Sequence, residues 1–149
     1  MFFRKNGVST VRYSKGWVEE NVHDLGRPIG SCDWCGTAIR YEHLLRHDEK
    51  GLKAIAGVKC ASYLTGDPEY CIGSEKKARA RTRRYQTWMR SSRWKRNRNG
   101  NWYRTGVLIF KLPNDGRWRL RIGKRWGELE YERLCDAKKQ AFLYLESKK

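Results

Sequence analysis

Hydrophobic and polar residues alternate most regularly in the last third of the chain. Val107 to Leu112 is a run of strong strand formers, and the Pro113 to Gly116 segment has the composition of a hairpin turn. A third strand is predicted over residues 127–131. A final helix is predicted over 136–146, with its small and apolar residues on one face. The pattern therefore indicates a β-β-β-α unit.

The middle strand of this unit has two chemically different faces. Alternate residues of a strand point to opposite sides of the sheet. The apolar side consists of Trp118, Leu120 and Ile122, and the basic side consists of Arg117, Arg119 and Arg121. We expect the first side to face the core and the second to remain open.

A long basic helix is predicted over residues 74–98. Ser74 has the character of an N-cap residue and Glu75 suits the first helical turn. Tyr85, Trp88 and Met89 share one helical face, while the other faces are almost entirely Arg and Lys. Asn99, Gly100 and Asn101 would end the helix.

The first half of the chain predicts shorter elements. Residues 1–30 fit a strand or extended arm, on the alternation from Ser9 to Tyr13 and a turn near Pro28. The pattern predicts a hairpin whose two strands are residues 38–43 and 52–58. A short helix should follow over Cys60 to Leu64.

Charge is concentrated in the centre of the chain. The 149 residues carry a formal net charge of +17. Residues 1–75 contain ten Lys/Arg and ten Asp/Glu, whereas residues 76–98 contain eleven bases and no acid. Such a local excess favours binding to a polyanion, since solubility alone requires only a modest net charge.

Three cysteines have the spacing of a metal site. Cys32 and Cys35 form a Cys-x-x-Cys pair followed by Gly36, and two thiolates at that spacing can reach one zinc ion. Cys60 follows the predicted hairpin at the start of a helix. A Cys-x-x-Cys redox site would need a βαβ context, which the pattern lacks. We therefore expect structural zinc bound by Cys32, Cys35 and Cys60.

The fourth zinc ligand is open between three residues. A structural zinc site has four ligands. His43 is preferred because it lies nearer the knuckle end of the hairpin than His47 does. Cys71 is a third candidate, although it lies beyond the predicted short helix. Cys135 is expected to be a small buried residue.

Several segments together resemble a known group of proteins. They are Cys32-x-x-Cys35-Gly36, Ile39-Arg40-Tyr41-x-His43, His47, Gly57-x-x-Cys60-Ala61 and Leu64-Thr65-Gly66-Asp67. This order resembles a group of small, largely uncharacterised bacterial and phage zinc-finger proteins with a treble-clef-like finger, over roughly residues 30–147. Many members have a further cysteine where this chain has Val58. The resemblance implies zinc and a bacterial or phage origin.

The C-terminal β-β-β-α order also resembles the AP2 and integrase-arm type of DNA-binding domain, in which the open sheet face enters the major groove. The expected fold class is α+β. Four parts are expected: an arm (1–30), a zinc finger (31–73), a basic helix (74–98) and a β-β-β-α domain (99–149).

Two surfaces are candidates for nucleic-acid binding. Arginine suits bidentate contacts with phosphate and guanine, and nearby aromatic rings can stack on bases. The sheet surface would use Arg117, Arg119 and Arg121. The helix surface would use Arg79, Arg81, Arg83, Arg84, Arg90, Arg93, Trp94, Lys95, Arg96 and Arg98.

These features predict a non-enzymatic, zinc-stabilised nucleic-acid-binding protein, with DNA favoured over RNA. A factor that docks on a host or phage protein complex and a ribosome- or RNA-associated protein are the alternatives. A metal-dependent nuclease using His43 and His47 is a weaker one. No membrane span, secretion signal or small-molecule substrate site is indicated, so a bacterial or phage-infected cytosol is expected.

Overall fold

A computed structural model describes residues 4–5, 8–9 and 13–149. The chain is mixed α+β, as predicted, and it divides into two compact units, Met1–Thr82 and Arg83–Lys149. Within the described residues there are three helices and several antiparallel sheets. No helix in this part of the chain has the length and apolarity needed to cross a bilayer.

The first unit is built from strands, a short helix and the first part of a long helix. The strands are β1 (Arg4–Lys5), β2 (Val8–Ser9), β3 (Trp17–Asp24), β4 (Gly30–Ser31), β5 (Ala38–Ile39), β6 (Tyr41–His47) and β7 (Lys53–Ala56), followed by helix α1 (Val58–Thr65). Two pairs are isolated ribbons, β1 with β2 and β4 with β5, and a three-stranded sheet has the order β3-β6-β7.

Alternation along β6 determines how this unit packs. His43, Leu45 and His47 are buried, while the residues between them are half-exposed. Leu45 lies in a core with Trp17, Ala56, Ala61 and Leu64. Burial of these apolar side chains supplies most of the unit's packing free energy.

The N-terminal prediction is tested only in part. Thr10, Val11 and Arg12, in the middle of the predicted alternation, lie outside the described residues. The long strand of this region is β3, which begins at Trp17.

The long helix begins earlier and ends earlier than predicted. Helix α2 spans Pro68–Arg90, not residues 74–98. Asp67 caps it, because its Oδ1 accepts the Tyr70 N–H at 3.0 Å, and proline is favoured at the first helical position. Residues beyond Arg90 leave the helix, and Lys95 and Arg96 form a strand.

The second unit is a five-stranded antiparallel sheet packed against a helix. Its elements are β8 (Lys95–Arg96), β9 (Trp102–Arg104), β10 (Val107–Lys111), β11 (Trp118–Ile122), β12 (Arg125–Tyr131) and α3 (Leu134–Glu146). The strand order in the sheet is β12-β11-β10-β9-β8. The three predicted strands and the last helix are confirmed, and β8 and β9 are additional.

The predicted core face of the second unit is also confirmed. Leu120 packs with Val107, Ile109, Ala137 and Ala141. A partly buried ring of larger residues, which includes Trp118 and Ile122, surrounds them. The opposite face of the sheet is therefore free of the helix.

Candidate metal centre and basic surface

The predicted cysteine trio comes together in the first unit. One sulfur from each of Cys32, Cys35 and Cys60 lies within 4.8 Å of the other two. Cys32 is buried, Cys60 is half-buried and Cys35 is exposed. Tetrahedral zinc with Zn–S bonds of about 2.3 Å separates its sulfurs by about 3.8 Å. The three sulfurs are therefore close enough together to hold a metal ion.

A tight turn holds the first two cysteines in place. The Gly36 N–H donates to Cys32 O at 2.8 Å, and the Cys32 N–H donates to Thr37 O at 2.9 Å. Gly36 has a φ of +75°, a conformation that side chains other than glycine rarely adopt. The glycine after Cys35 is thus required by the backbone.

The turn is attached to the sheet through Asp33. Its N–H donates to Ile55 O at 2.7 Å, and its Oδ2 accepts the Ile55 N–H at 2.8 Å. Because Ile55 is in β7 and Cys60 is in the first turn of α1, this attachment brings Cys32 and Cys35 towards Cys60.

The surroundings of Cys35 and Cys60 shift the pKa values of their thiols in opposite directions. Hydrogen bonding by Thr37, whose Oγ1 lies 3.1 Å from Cys35 Sγ, lowers the pKa of Cys35 to about 7. Burial, followed by the neighbouring sulfurs, raises the pKa of Cys60 to about 12. Three adjacent thiolates repel one another without a cation, and a divalent metal is the kind of ion that would stabilise them together.

The prediction that His43 is the fourth zinc ligand is wrong in this structure. His43 is not among the cysteines: its Nδ1 contacts Glu19 and its Nε2 lies 3.2 Å from Glu75 Oε2. His43 instead belongs to a second cluster with Glu19 and Cys71.

The alternatives for the fourth ligand also lie elsewhere. Cys71 belongs to that second cluster. His47 Nδ1 accepts the Lys50 N–H at 3.2 Å, and its ring packs 5.2 Å from the Trp17 ring. Among the described residues, the first cluster therefore offers three protein ligands.

Some of the predicted basic residues form ion pairs with carboxylates and others do not. Arg84 is paired with Glu146 at 2.6 Å, and Arg79 is paired with Glu75 at 2.9 Å. Among the described residues from 83 to 98, six exposed basic residues have no carboxylate within ion-pair distance. They are Arg83, Arg90, Arg93, Lys95, Arg96 and Arg98.

Arg81 is likewise exposed on α2. It belongs to the first unit and has no carboxylate partner within the described residues.

Trp94 does not belong to the candidate surface. Its side chain is 5% exposed, and its Nε1–H donates to Trp88 O at 2.8 Å. The Lys138 ammonium lies 4.9 Å from the Trp94 ring and 4.5 Å from the Trp102 ring, an arrangement that stabilises a buried cation. The prediction that Trp94 stacks on bases is therefore wrong, because this ring is part of the core.

The sheet arginines are more constrained than expected. Arg117 pairs with both Asp115 and Glu130, at 2.6 and 2.9 Å. Arg119 donates to Gly127 O at 3.0 Å. Arg121 lies 5.3 Å from the ring of Trp126, which is 55% exposed. Sequence reasoning missed Trp126. This residue of β12 pairs opposite Arg121 of β11, so the two side chains share one face of the sheet.

The Arg84–Glu146 pair makes a pH-dependent contribution to stability. Hydrogen bonds from Arg84 and Lys149 lower the pKa of Glu146 from 4.5 to about 2. A carboxyl whose pKa is lower in the folded state stabilises that state above the unfolded pKa. This stability is lost as the pH falls through the folded value. Because Arg84 is half-exposed, we expect a contribution of about 1 kcal/mol.

Urea unfolding of wild type and Glu146→Gln from pH 7 to pH 2 measures this contribution. The difference in free energy of unfolding should be constant above about pH 5 and should shrink towards zero between pH 4.5 and 2. A difference that does not change over the whole range would show that the ion pair does not stabilise the fold.

Comparison with protein-family models, with curated proteins and with solved structures finds no match to this chain.

Proposed function

We propose that this protein is a non-enzymatic DNA-binding protein, stabilised by zinc in a treble-clef-like finger and contacting the phosphate backbone through its second unit. The observation that carries the proposal is the set of six exposed, unpaired basic residues between Arg83 and Arg98. Cations already paired with carboxylates gain less from a phosphate, because the first pair must be broken.

The charge of the second unit supports this assignment. Residues 83–149 contain nineteen Lys/Arg and six Asp/Glu, a net charge of +13. Counterion release makes such surfaces bind nucleic acid with strong salt dependence and little dependence on sequence. Duplex DNA is favoured because its regular phosphate spacing suits fixed arginines on a folded unit. The three-stranded part of the sheet and α3 have the order of AP2-like domains.

Zinc would be structural. Cys32, Cys35 and Cys60 would supply three of the four ligands, and a metal there would link the Cys32–Cys35 turn to the start of α1. The order of turn, hairpin and helix supports the treble-clef-like assignment. A bacterial or phage-infected cytosol is the proposed location, since thiols in a reducing compartment remain available to metal.

The nuclease alternative is disfavoured by the burial of its candidate bases. His43 is 0% exposed and His47 is 4% exposed. A general base in a nuclease must come within hydrogen-bond reach of the attacking water at the phosphate. Neither imidazole lies at the surface of the first unit.

Fluorescence polarisation with three labelled 20-mers tests the proposal: duplex DNA, single-stranded DNA of the same sequence, and duplex RNA, in about 0.1 M salt. Duplex DNA should bind most tightly. Tightest binding to single-stranded DNA would instead favour base stacking on exposed rings such as Trp126, and tightest binding to duplex RNA would favour an RNA-associated role. Absence of binding to all three, with a host protein retained after nuclease treatment, would support the docking alternative.

A further inference from the structure

A second group of metal-binding side chains lies inside the first unit. Glu19 comes from β3, His43 from β6 and Cys71 from α2, and each offers one donor atom within 4.8 Å of the other two. His43 and Cys71 are fully buried and Glu19 is 7% exposed. This group shares no residue with the cysteine trio.

Burial of these side chains needs a physical reason. Each occupies a core position that an apolar residue would fill at lower cost, since polar groups lose their water on burial. Glu19 lies opposite Leu45 in the sheet, and His43 lies between Val22 of β3 and Ala56 of β7. Cys71 Sγ lies 3.4 Å from Thr65 Oγ1. Hydrophobic packing alone does not account for this choice of residues.

The two nitrogens of His43 have different surroundings. Nδ1 faces Glu19 in the cluster, while Nε2 faces Glu75 Oε2 at 3.2 Å. The other oxygen of Glu75 accepts a hydrogen bond from Arg79 at 2.9 Å. A metal-bound histidine usually donates its second N–H to a carboxylate, which fixes the tautomer and the ring orientation. Glu75 is in the right place for that role.

We propose that Glu19, His43 and Cys71 form a second metal site, specific for a divalent ion of the zinc class, with Glu75 as the positioning residue for His43. Carboxylate oxygen, imidazole nitrogen and thiolate sulfur are the three ligand types that zinc accepts in proteins. The ion ties β3 and β6 to the start of α2, and its role is structural because the cluster is buried.

A divalent ion would bind the thiolate of Cys71 and an unprotonated ring nitrogen of His43 beside the Glu19 carboxylate, and the displaced protons would pass to solvent. Glu75 would remain paired with Arg79.

Metal content per chain tests the proposal on the full-length protein. After loading with zinc and removal of loosely bound ions, elemental analysis should give two zinc ions per wild-type chain. Cys71→Ala and Glu19→Gln should each hold one fewer. Cys135 is exposed, so the prediction that it is buried is wrong, and it lies outside both clusters. Cys135→Ser should therefore hold two.

Cobalt loading adds a readout that does not depend on total zinc. Sulfur-to-cobalt charge-transfer absorption should arise from both sites in wild type and should lose the contribution of one thiolate in Cys71→Ala. Circular dichroism checks that each variant is folded. Should Cys71→Ala fail to fold, titration of metal-free wild type decides the question, because two equivalents support the proposal and a single equivalent opposes it. Equal metal content in folded Cys71→Ala and wild type would overturn it, and the proposed DNA binding would be unaffected.

Discussion

The Cys60→Ser variant will lose the zinc of the cysteine trio and most of the stability of the first unit. Structural zinc binds zinc-finger peptides with an apparent free energy of about 10–16 kcal/mol, whereas a whole domain is stable by only about 5–15 kcal/mol. Cys60 is half-buried, so the change from sulfur to oxygen removes little packing by itself. We expect the free energy of unfolding of this unit to fall by about 5 kcal/mol or more.

Zinc content and hydrogen exchange measure this effect. Amides of β3, β6 and β7 should lose protection in Cys60→Ser, and a strong chelator added to wild type should produce at least the same loss. The control is Cys135→Ser, which should keep both metal content and protection. Unchanged zinc and unchanged protection in Cys60→Ser would show that the cysteine trio holds no structural ion.

Neutralising three unpaired arginines will weaken DNA binding far more than neutralising three paired ones. The test variant is Arg93→Gln, Arg96→Gln and Arg98→Gln. If each contacts one phosphate, counterion release predicts a loss of roughly 100-fold in affinity at about 0.15 M salt. All three side chains are exposed on the second unit.

The matched control changes Arg84, Arg117 and Arg133 to Gln, because these arginines pair with Glu146, Asp115 and Asp136. Both variants lose three positive charges from the same unit, so the long-range electrostatic effect is similar. We expect less than about a 5-fold loss for the control. Equal losses in the two variants would mean that net charge, and not a defined surface, determines binding.

Local patterns allowed the hairpin of the second unit to be predicted. Strand alternation and the turn at Pro113 to Gly116 are properties of neighbouring residues, and β10 and β11 pair in the expected place. The Cys32–Cys35 pair was predictable for the same reason, because a Cys-x-x-Cys turn largely determines its own geometry.

The end of the long helix could not be predicted from local pattern. The basic residues after Arg90 are good helix formers, but Trp94 is buried in the core of the second unit and hydrogen-bonds back to Trp88. That tertiary contact overrides helix propensity. The start of α2 could have been predicted from the sequence, because Asp67 is a typical N-cap residue and Pro68 is a typical first residue of a helix.

The partners of His43 depend on packing between distant elements. Spacing from the Cys32–Cys35 turn suggested a ligand of the finger, but the side of β6 on which the ring lies is set by the alternation of buried residues. Glu19 and Cys71 come from β3 and α2. An isolated glutamate in a strand carries no sequence signal that would reveal this cluster.

The salt dependence of duplex binding tests the central claim most directly. The logarithm of the association constant for a 20-base-pair duplex, measured between about 0.05 and 0.3 M salt, should fall linearly with the logarithm of salt concentration. Four to six phosphate contacts by the unpaired basic residues predict a slope of about −4 to −5. A slope close to zero, or no measurable binding at the lowest salt, would contradict the assignment of these residues to the phosphate backbone.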